Sequence, residues 1–253
     1  AVHAATTAQT AGVVDLVVVL VKSFHTQQAM QAATSLIGRD TLVLSLQNGL
    51  GHEDILADIV GRERVLAGKT YAGGSQLGVG HVNIGTKGKD THIGELDGAM
   101  TERVQRIADV FNAAGLNTTV SDNIMGTIWD KLLINVATGA ITGITGLPYG
   151  DLYKQPELEA CGVAAVAEAM AVAKASGIRL SITEPSQAWH KAGAGLPYEF
   201  RTSMLQSLNK GSITEIDFVN GSVVRWGQRC GVPTPVNQTL VACMKGIESR
   251  LKR

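Results

Sequence analysis

The run Val13-Val14-Asp15-Leu16-Val17-Val18-Val19-Leu20-Val21 constrains the fold most, because it is apolar almost throughout and does not alternate. A strand with one wet face alternates apolar and polar residues. A continuous β-branched run means burial on both faces, hence a parallel sheet lying under helices. A helix is expected next over 26–37, stopped by Gly38, and then a second buried strand over 41–46. That strand runs into Gln47-Asn48-Gly49-Leu50-Gly51 and a helix over 52–60. Strand, helix, strand, glycine-rich turn, helix is the order of a doubly wound α/β domain. Short strands over 65–67, 81–84 and 91–93, a helix over 101–114 and a strand over 116–120 close this half.

The pattern changes near Ser121-Asp122, beyond which helical periodicity dominates. Asp122 is placed to cap a helix over 122–137. Pro156 opens a long alanine-rich helix that stops before Gly177, and further helices are expected over 184–191, 198–208, 214–230 and 236–251. The last follows Pro233 and Pro235, a favourable helix start. The expected fold class is therefore α/β plus all-α. A partial Rossmann-like dinucleotide-binding domain over 1–120 is followed by a helical substrate and dimerisation domain over 121–253. One part of the α/β pattern is absent. No strand-GxGxxG-helix unit occurs, nor an acidic or basic ribose reader after one. Gly49-x-Gly51 is only a glycine-rich turn, and Gly73-Gly74 with Gly78-x-Gly80 has no helix after it. The first βαβ portion of the nucleotide domain is expected to be missing from this chain.

Composition narrows the class of function. The 253 residues hold 22 basic and 22 acidic side chains, so nothing favours nucleic acid or an anionic membrane. Aromatic residues make up 4%, too few for base-stacking platforms. Cys161, Cys230 and Cys243 are an odd number without metal-ligand spacing, as in a reduced cytoplasmic protein. The six histidines are scattered, and His52, His81, His92 and His190 read as structural or surface residues. No metal site is expected. The longest apolar run contains Asp15 and is too short to span a bilayer.

Ile128-Trp129-Asp130-Lys131-Leu132-Leu133-Ile134-Asn135 carries the clearest chemistry. On a helix Lys131 and Asn135 share one face, one turn apart. Ile128, Trp129, Leu132, Leu133 and Val136 around them belong in a core, and Trp129 reads as core rather than as a stacking platform. Downstream, Thr202-Ser203-Met204-Leu205-Gln206 offers hydroxyls, and Thr214-Glu215-Ile216-Asp217 offers carboxylates. These parts suit reduction of a keto group: a cation for the developing alkoxide, amide and hydroxyl groups to hold the substrate, a carboxylate to orient them. Glu215 and Asp217 are not a catalytic pair, because i,i+2 positions on a helix diverge. Asn48 follows a buried strand at the edge where ligands bind in α/β sheets. Its bland alternative is to supply a positive φ before Gly49. Thr202 and Ser203 have a bland alternative too, as hydroxyls bonded to local backbone.

With these blocks the chain resembles the ketopantoate reductase (2-dehydropantoate 2-reductase) family. The match is carried by Asp15-Leu16-Val17-Val18-Val19-Leu20-Val21-Lys22-Ser23 with Leu46-Gln47-Asn48-Gly49-Leu50-Gly51, by Trp129 to Asn135 with Leu147-Pro148-Tyr149-Gly150-Asp151-Leu152, and by Ser203-Met204-Leu205-Gln206 with Gly211 to Asp217 and Asn220-Gly221. It covers essentially the whole chain in order. The resemblance implies a C-terminal domain of the 6-phosphogluconate dehydrogenase-like type. It also implies NADP(H) as cofactor and reduction of 2-dehydropantoate, or a related 2-keto acid, in pantothenate synthesis. Lys131 is then the proton donor, and Glu215 the active-site glutamate that steadies it and adjoins the cofactor. Asn48, Asn135, Thr202 and Ser203 bind substrate, and Lys22, Asn48 and Gly74 meet the cofactor. The partner is a small 2-keto acid, with a homodimer compatible with it, and no nucleic acid or membrane. Two positions depart from the family pattern. Gly139 and Tyr149 stand where the family carries asparagines that line the substrate pocket, so another 2-keto acid is a real alternative, with Tyr149 as a replacement donor. The other readings are a related opine or hydroxy-acid dehydrogenase, and a non-catalytic dimerisation module with a vestigial nucleotide domain.

Overall fold

A computed structural model describes residues 3–71, 73–84 and 90–251. They divide into two compact units. The first comprises Ala1–Gln47 and Gly51–Thr127, the second Asn48–Leu50 and Ile128–Arg253.

The first unit is built on a five-stranded sheet. Its strands are β1 (Leu16–Val19), β2 (Leu42–Ser45), β3 (Val65–Thr70), β6 (Thr91–Glu95) and β7 (Thr118–Val120), in the spatial order β1-β2-β3-β6-β7. Helices α1 (Thr26–Ala32) and α2 (His52–Val60) cover one face, and α3 (Glu102–Ala113) covers the other. Neighbouring residues of β2 show why the run is apolar throughout. Val43 joins Val19, Met30, Leu56, Val60 and Val65 on the α1–α2 side, while Leu44 joins Leu66, Ile93, Val104 and Ile107 on the α3 side. Both faces are core, so period-2 alternation has nothing to separate.

Three sequence expectations are corrected here. The sheet is not wholly parallel: β1, β2 and β3 run parallel and β6 pairs parallel with β7, but β3 and β6 are antiparallel. Among the described residues no helix lies between β3 and β6 to carry a parallel crossover; the described part of that connection is a two-stranded ribbon of β4 (Gly74–Gly78) and β5 (His81–Ile84). β4 itself was not anticipated, because its glycines hide a strand pattern. Finally, the run Val13 to Val21 is not buried on both faces. β1 is an edge strand, and Val13 and Leu20 are 67% and 62% exposed.

The second unit is helical: α4 (Ile124–Thr145, from Ile128 onward), α5 (Tyr149–Leu152), α6 (Pro156–Ala175), α7 (Pro185–Gly193), α8 (Ser203–Asn209), α9 (Asn220–Cys230) and α10 (Pro235–Leu251). Prolines open α6, α7 and α10, where a missing N–H costs nothing. α6 packs against α7, α9 and α10, and Gly162 lets it approach α4 closely. A Cβ at Gly162 would lie 2.5 Å from the Ala137 carbonyl oxygen. Glu168 of α6 accepts hydrogen bonds from the backbone N–H groups of Val236 and Asn237 (2.8 and 3.0 Å), satisfying the first turn of α10.

Two expected helices are shorter than their patterns. The stretch 198–208 becomes helical only at Ser203, because Thr202 is extended and caps α8, its hydroxyl accepting from the Leu205 N–H. The stretch 214–230 breaks into a 3-10 turn, Ile216–Phe218, and α9. The Phe218 carbonyl accepts from the Leu50 N–H at 2.9 Å, which takes it out of any helical ladder.

Candidate active site

Lys131 and Asn135 lie one turn apart on α4, both half-buried. The residues around them are core: Ile128, Trp129, Leu132, Leu133 and Val136 are all at most 5% exposed. Trp129 packs edge-on to Trp226, with ring centroids 5.8 Å apart, so it is core. Asp130, beside Lys131, accepts from the N–H groups of Ser181 and Ile182 and pins that segment to α4.

The Lys131–Asn135 face continues inward. Thr138 and Thr142 follow at the i+7 and i+11 positions, within the same narrow stripe of a 3.6-residue helix. Both are buried. Thr138 Oγ1 bonds Tyr149 Oη at 2.9 Å, and Thr142 Oγ1 bonds Thr202 Oγ1 at 2.6 Å. An otherwise apolar helix thus carries one polar line, running from two half-buried functional groups to two buried hydroxyls. That line was legible in the sequence as polar residues at helical spacing, but its lower half was not singled out.

The downstream candidates separate by exposure. Ser203 is exposed, whereas Thr202 is 7% exposed and its hydroxyl is engaged by Thr142 and Leu205. Glu215 is half-buried at the start of the 3-10 turn, where its carbonyl accepts from the N–H groups of Phe218 and Val219. The segment is anchored at Thr214, whose N–H and hydroxyl both donate to Glu248 Oε1 at 2.7 Å. These bonds and the one from Lys245 hold the Glu248 carboxyl below its usual range against the opposing effect of burial. Asp217 pairs with Lys245.

Asn48 is brought to that same segment. Leu50 bonds the Phe218 carbonyl, and a Cβ on Gly49 would stand 2.3 Å from that oxygen. Gly49 has φ 95°, while no non-glycine residue among those described has a positive φ. Asn48 is therefore not the residue that makes the turn, and its side chain is exposed.

Gly139 and Tyr149 both have buried surroundings. A Cβ on Gly139 would make ordinary contact with Cε and Sδ of the buried Met204 at 3.5 Å. Tyr149 is turned into the core of this unit. It is 6% exposed, bonded to Thr138, and packed against the rings of Tyr153 and Phe200 at 5.4 and 4.9 Å. Burial pushes its hydroxyl above the usual phenol range.

In the first unit, Lys22 is exposed directly after β1. The turns after β1 and β2 are tied together by Gln47, whose Nε2 donates to the Val21 carbonyl and Thr26 Oγ1 at 2.7 and 2.8 Å. Gln47 was not anticipated as a functional support; only its neighbour drew notice. Carboxyl ends of parallel strands are where α/β domains bind nucleotides, and a cationic side chain there fits an anionic dinucleotide. Gly74 is also exposed, in the ribbon, where a Cβ would meet the Asn83 carbonyl at 2.9 Å. A cavity of about 740 Å³ lies at the opposite, amino ends of β1 and β2, lined by Leu16, Leu42, Ile107 and Phe111 with a rim of mixed charge. It holds none of these candidates. Among the described residues no His, Cys, Asp and Glu group could hold a metal ion, and no helix is long and apolar enough to cross a membrane.

Comparison with known proteins gives concordant matches. The family model described as ketopantoate reductase PanE/ApbA matches residues 1–98, and the one described as its C terminal matches residues 123–248. A 2-dehydropantoate 2-reductase of Archaeoglobus fulgidus is 32% identical over 237 residues, 94% of this chain and 78% of the relative. That of Halobacterium salinarum is 35% identical over 229 residues, 89% and 73% of the two chains. Among solved structures, a PanE/ApbA family ketopantoate reductase from Ralstonia eutropha JMP134 superposes with a TM-score of 0.87 at 34% identity, covering 97% of this chain and 80% of that one. A D-mandelate dehydrogenase, solved with NADH and anilino(oxo)acetate, gives 0.86 at 30% identity, covering 95% and 78%.

Proposed function

The chain belongs to the ketopantoate reductase family, and on that premise we propose that it reduces the keto group of 2-dehydropantoate, or of a closely related 2-keto acid, at the expense of NADPH. What carries the reading is the stripe on α4: a lysine and an amide at helical spacing, half-buried among fully buried apolar neighbours.

When bound, the reduced nicotinamide supplies a hydride to the carbonyl carbon. The chain's own residues handle the charge this leaves. Lysine is protonated at neutral pH, so Lys131 stabilises the developing negative oxygen and delivers a proton to it. A preorganised donor of this kind is worth ~3–4 kcal/mol of barrier. Asn135 and Ser203 hold the substrate, Asn48 meets it at its junction with the cofactor, and Glu215 steadies the lysine. Lys22 and Gly74 serve the cofactor. In this reading the residues over 1–120 bind the dinucleotide and those over 121–253 bind the substrate and a second copy of the chain, in the cytoplasm.

The test is Lys131→Ala. Turnover is expected to fall by ~10²–10³ while NADPH affinity stays nearly constant, because the charge acts mainly in the transition state. Near-normal turnover would remove Lys131 from the mechanism.

A second reading concerns the substrate side group. Met204 stands against Gly139, and the Tyr149 hydroxyl is spent on Thr138, so two positions expected to grip a polar substrate are apolar or engaged. This favours a 2-keto acid with an apolar or aromatic side group. Comparing kcat/KM for ketopantoate and phenylglyoxylate decides between the two.

A further inference from the structure

The buried end of the α4 stripe forms a hydrogen-bond relay. Thr142 Oγ1 lies 3.1 Å from the Gly139 carbonyl, to which it can donate, and 2.6 Å from Thr202 Oγ1, a bond that either hydroxyl can donate. Thr202 Oγ1 also accepts from the Leu205 N–H at 3.4 Å. The relay therefore runs between the Leu205 N–H and the Gly139 carbonyl through Thr202 and Thr142. Thr142, Thr202 and Leu205 are 0%, 7% and 4% exposed, so water does not substitute for a missing member.

The relay joins two elements that carry different parts of the proposed site. One end lies on α4, one turn beyond Asn135. The other is the cap of α8, whose first residue is the exposed Ser203. The relay adds directional bonds to the apolar packing of Met204, Leu205 and Leu208 that seats α8. The geometry points to Thr142 as a positioning residue: through Thr202 it fixes the height and rotation of Ser203 relative to Lys131 and Asn135. Thr202, read from the sequence as a substrate contact, is the middle of this device. The inference rests on the reading of Ser203 as a substrate contact.

The experiment is a double-mutant cycle on the full enzyme, assayed with saturating NADPH and either keto acid. Thr142→Val keeps the shape and removes the hydroxyl, and is expected to raise the KM for the keto acid about fivefold, the equivalent of one ordinary hydrogen bond. Thr142→Ser, which keeps the hydroxyl, is expected to restore it. In a Ser203→Ala background, Thr142→Val is expected to add nothing, since the residue it positions is gone. A lowered Tm with unchanged KM in Thr142→Val overturns the inference, and so do additive effects of the two substitutions. If Ser203→Ala alone leaves KM unchanged, the substrate role of Ser203 fails and the inference falls with it. Should Thr142→Val not accumulate, Thr142→Ala adds no atoms and carries the same comparisons.

Discussion

Gly49→Ala is expected to be among the most damaging single-methyl additions in this chain. The glycine has φ 95°, a region that costs an L-residue roughly 1–2 kcal/mol. The added Cβ would stand 2.3 Å from the Phe218 carbonyl oxygen and 2.9 Å from its carbon. Relieving that overlap means moving the two backbones apart, which breaks the 2.9 Å bond from Leu50 to the same oxygen. Leu50 is 1% exposed, so its N–H would be left dry, at a cost of ~1–3 kcal/mol. The combined effect is about 3 kcal/mol, which for a chain of this size lowers Tm by roughly 6–12 °C. Gly51→Ala is the control. Gly51 has a similar φ of 101° but no atom within 4 Å of its Cβ, so it bears the conformational cost alone. Thermal unfolding followed by circular dichroism on both variants separates the two contributions. Equal losses in the two, or a Gly49→Ala protein within ~2 °C of the parent, would refute the argument that the Asn48–Leu50 turn is latched to Phe218 through this glycine.

Two further outcomes follow from the buried groups. Tyr149→Phe leaves Thr138 without its partner and should cost about 1–2 kcal/mol of unfolding free energy in urea, while KM for the keto acid stays unchanged; a KM that rises severalfold would return Tyr149 to the substrate pocket. Glu53 is fully buried in the first turn of α2, and desolvation raises its carboxyl from the usual 4.5 to about 7. The folded state therefore holds a proton that the unfolded state releases. The stability this group contributes is complete below about pH 4.5 and is lost as pH rises toward 7, by up to about 3 kcal/mol. Glu53→Gln should flatten that part of the stability–pH curve, and an unchanged curve would show that Glu53 ionises in the fold as freely as in water.

The doubly wound half was legible because β2 needs both faces apolar, and the sequence writes that as an unbroken run. At Val13 to Val21 the sequence marks a strand suited to burial, and among the described residues β1 has a single strand neighbour, β2. The antiparallel step from β3 to β6 was hidden by glycines that suppress strand character in β4. In the helical half, the placing of Lys131 and Asn135 on one face of an apolar helix was legible from their spacing, and both are half-buried among core residues, while the roles given to them came from the resemblance. The setting of Thr202 was not legible. A threonine before a helix looks the same whether its hydroxyl faces a ligand or a cap, and its bonds to Thr142 and the Leu205 N–H show only in the fold. Glu248 lies 34 residues from the backbone it anchors, a distance over which no local pattern speaks.

The pairing of Tyr149 with Thr138, inside a cluster with Tyr153 and Phe200, limits how the position can change. A chain that carries this tyrosine does not easily exchange it for an amide. Replacing the ring opens a hole worth ~3–5 kcal/mol, against a total stability of only ~5–15 kcal/mol. Changes of substrate are then expected to arise at residues outside this cluster, which stays fixed.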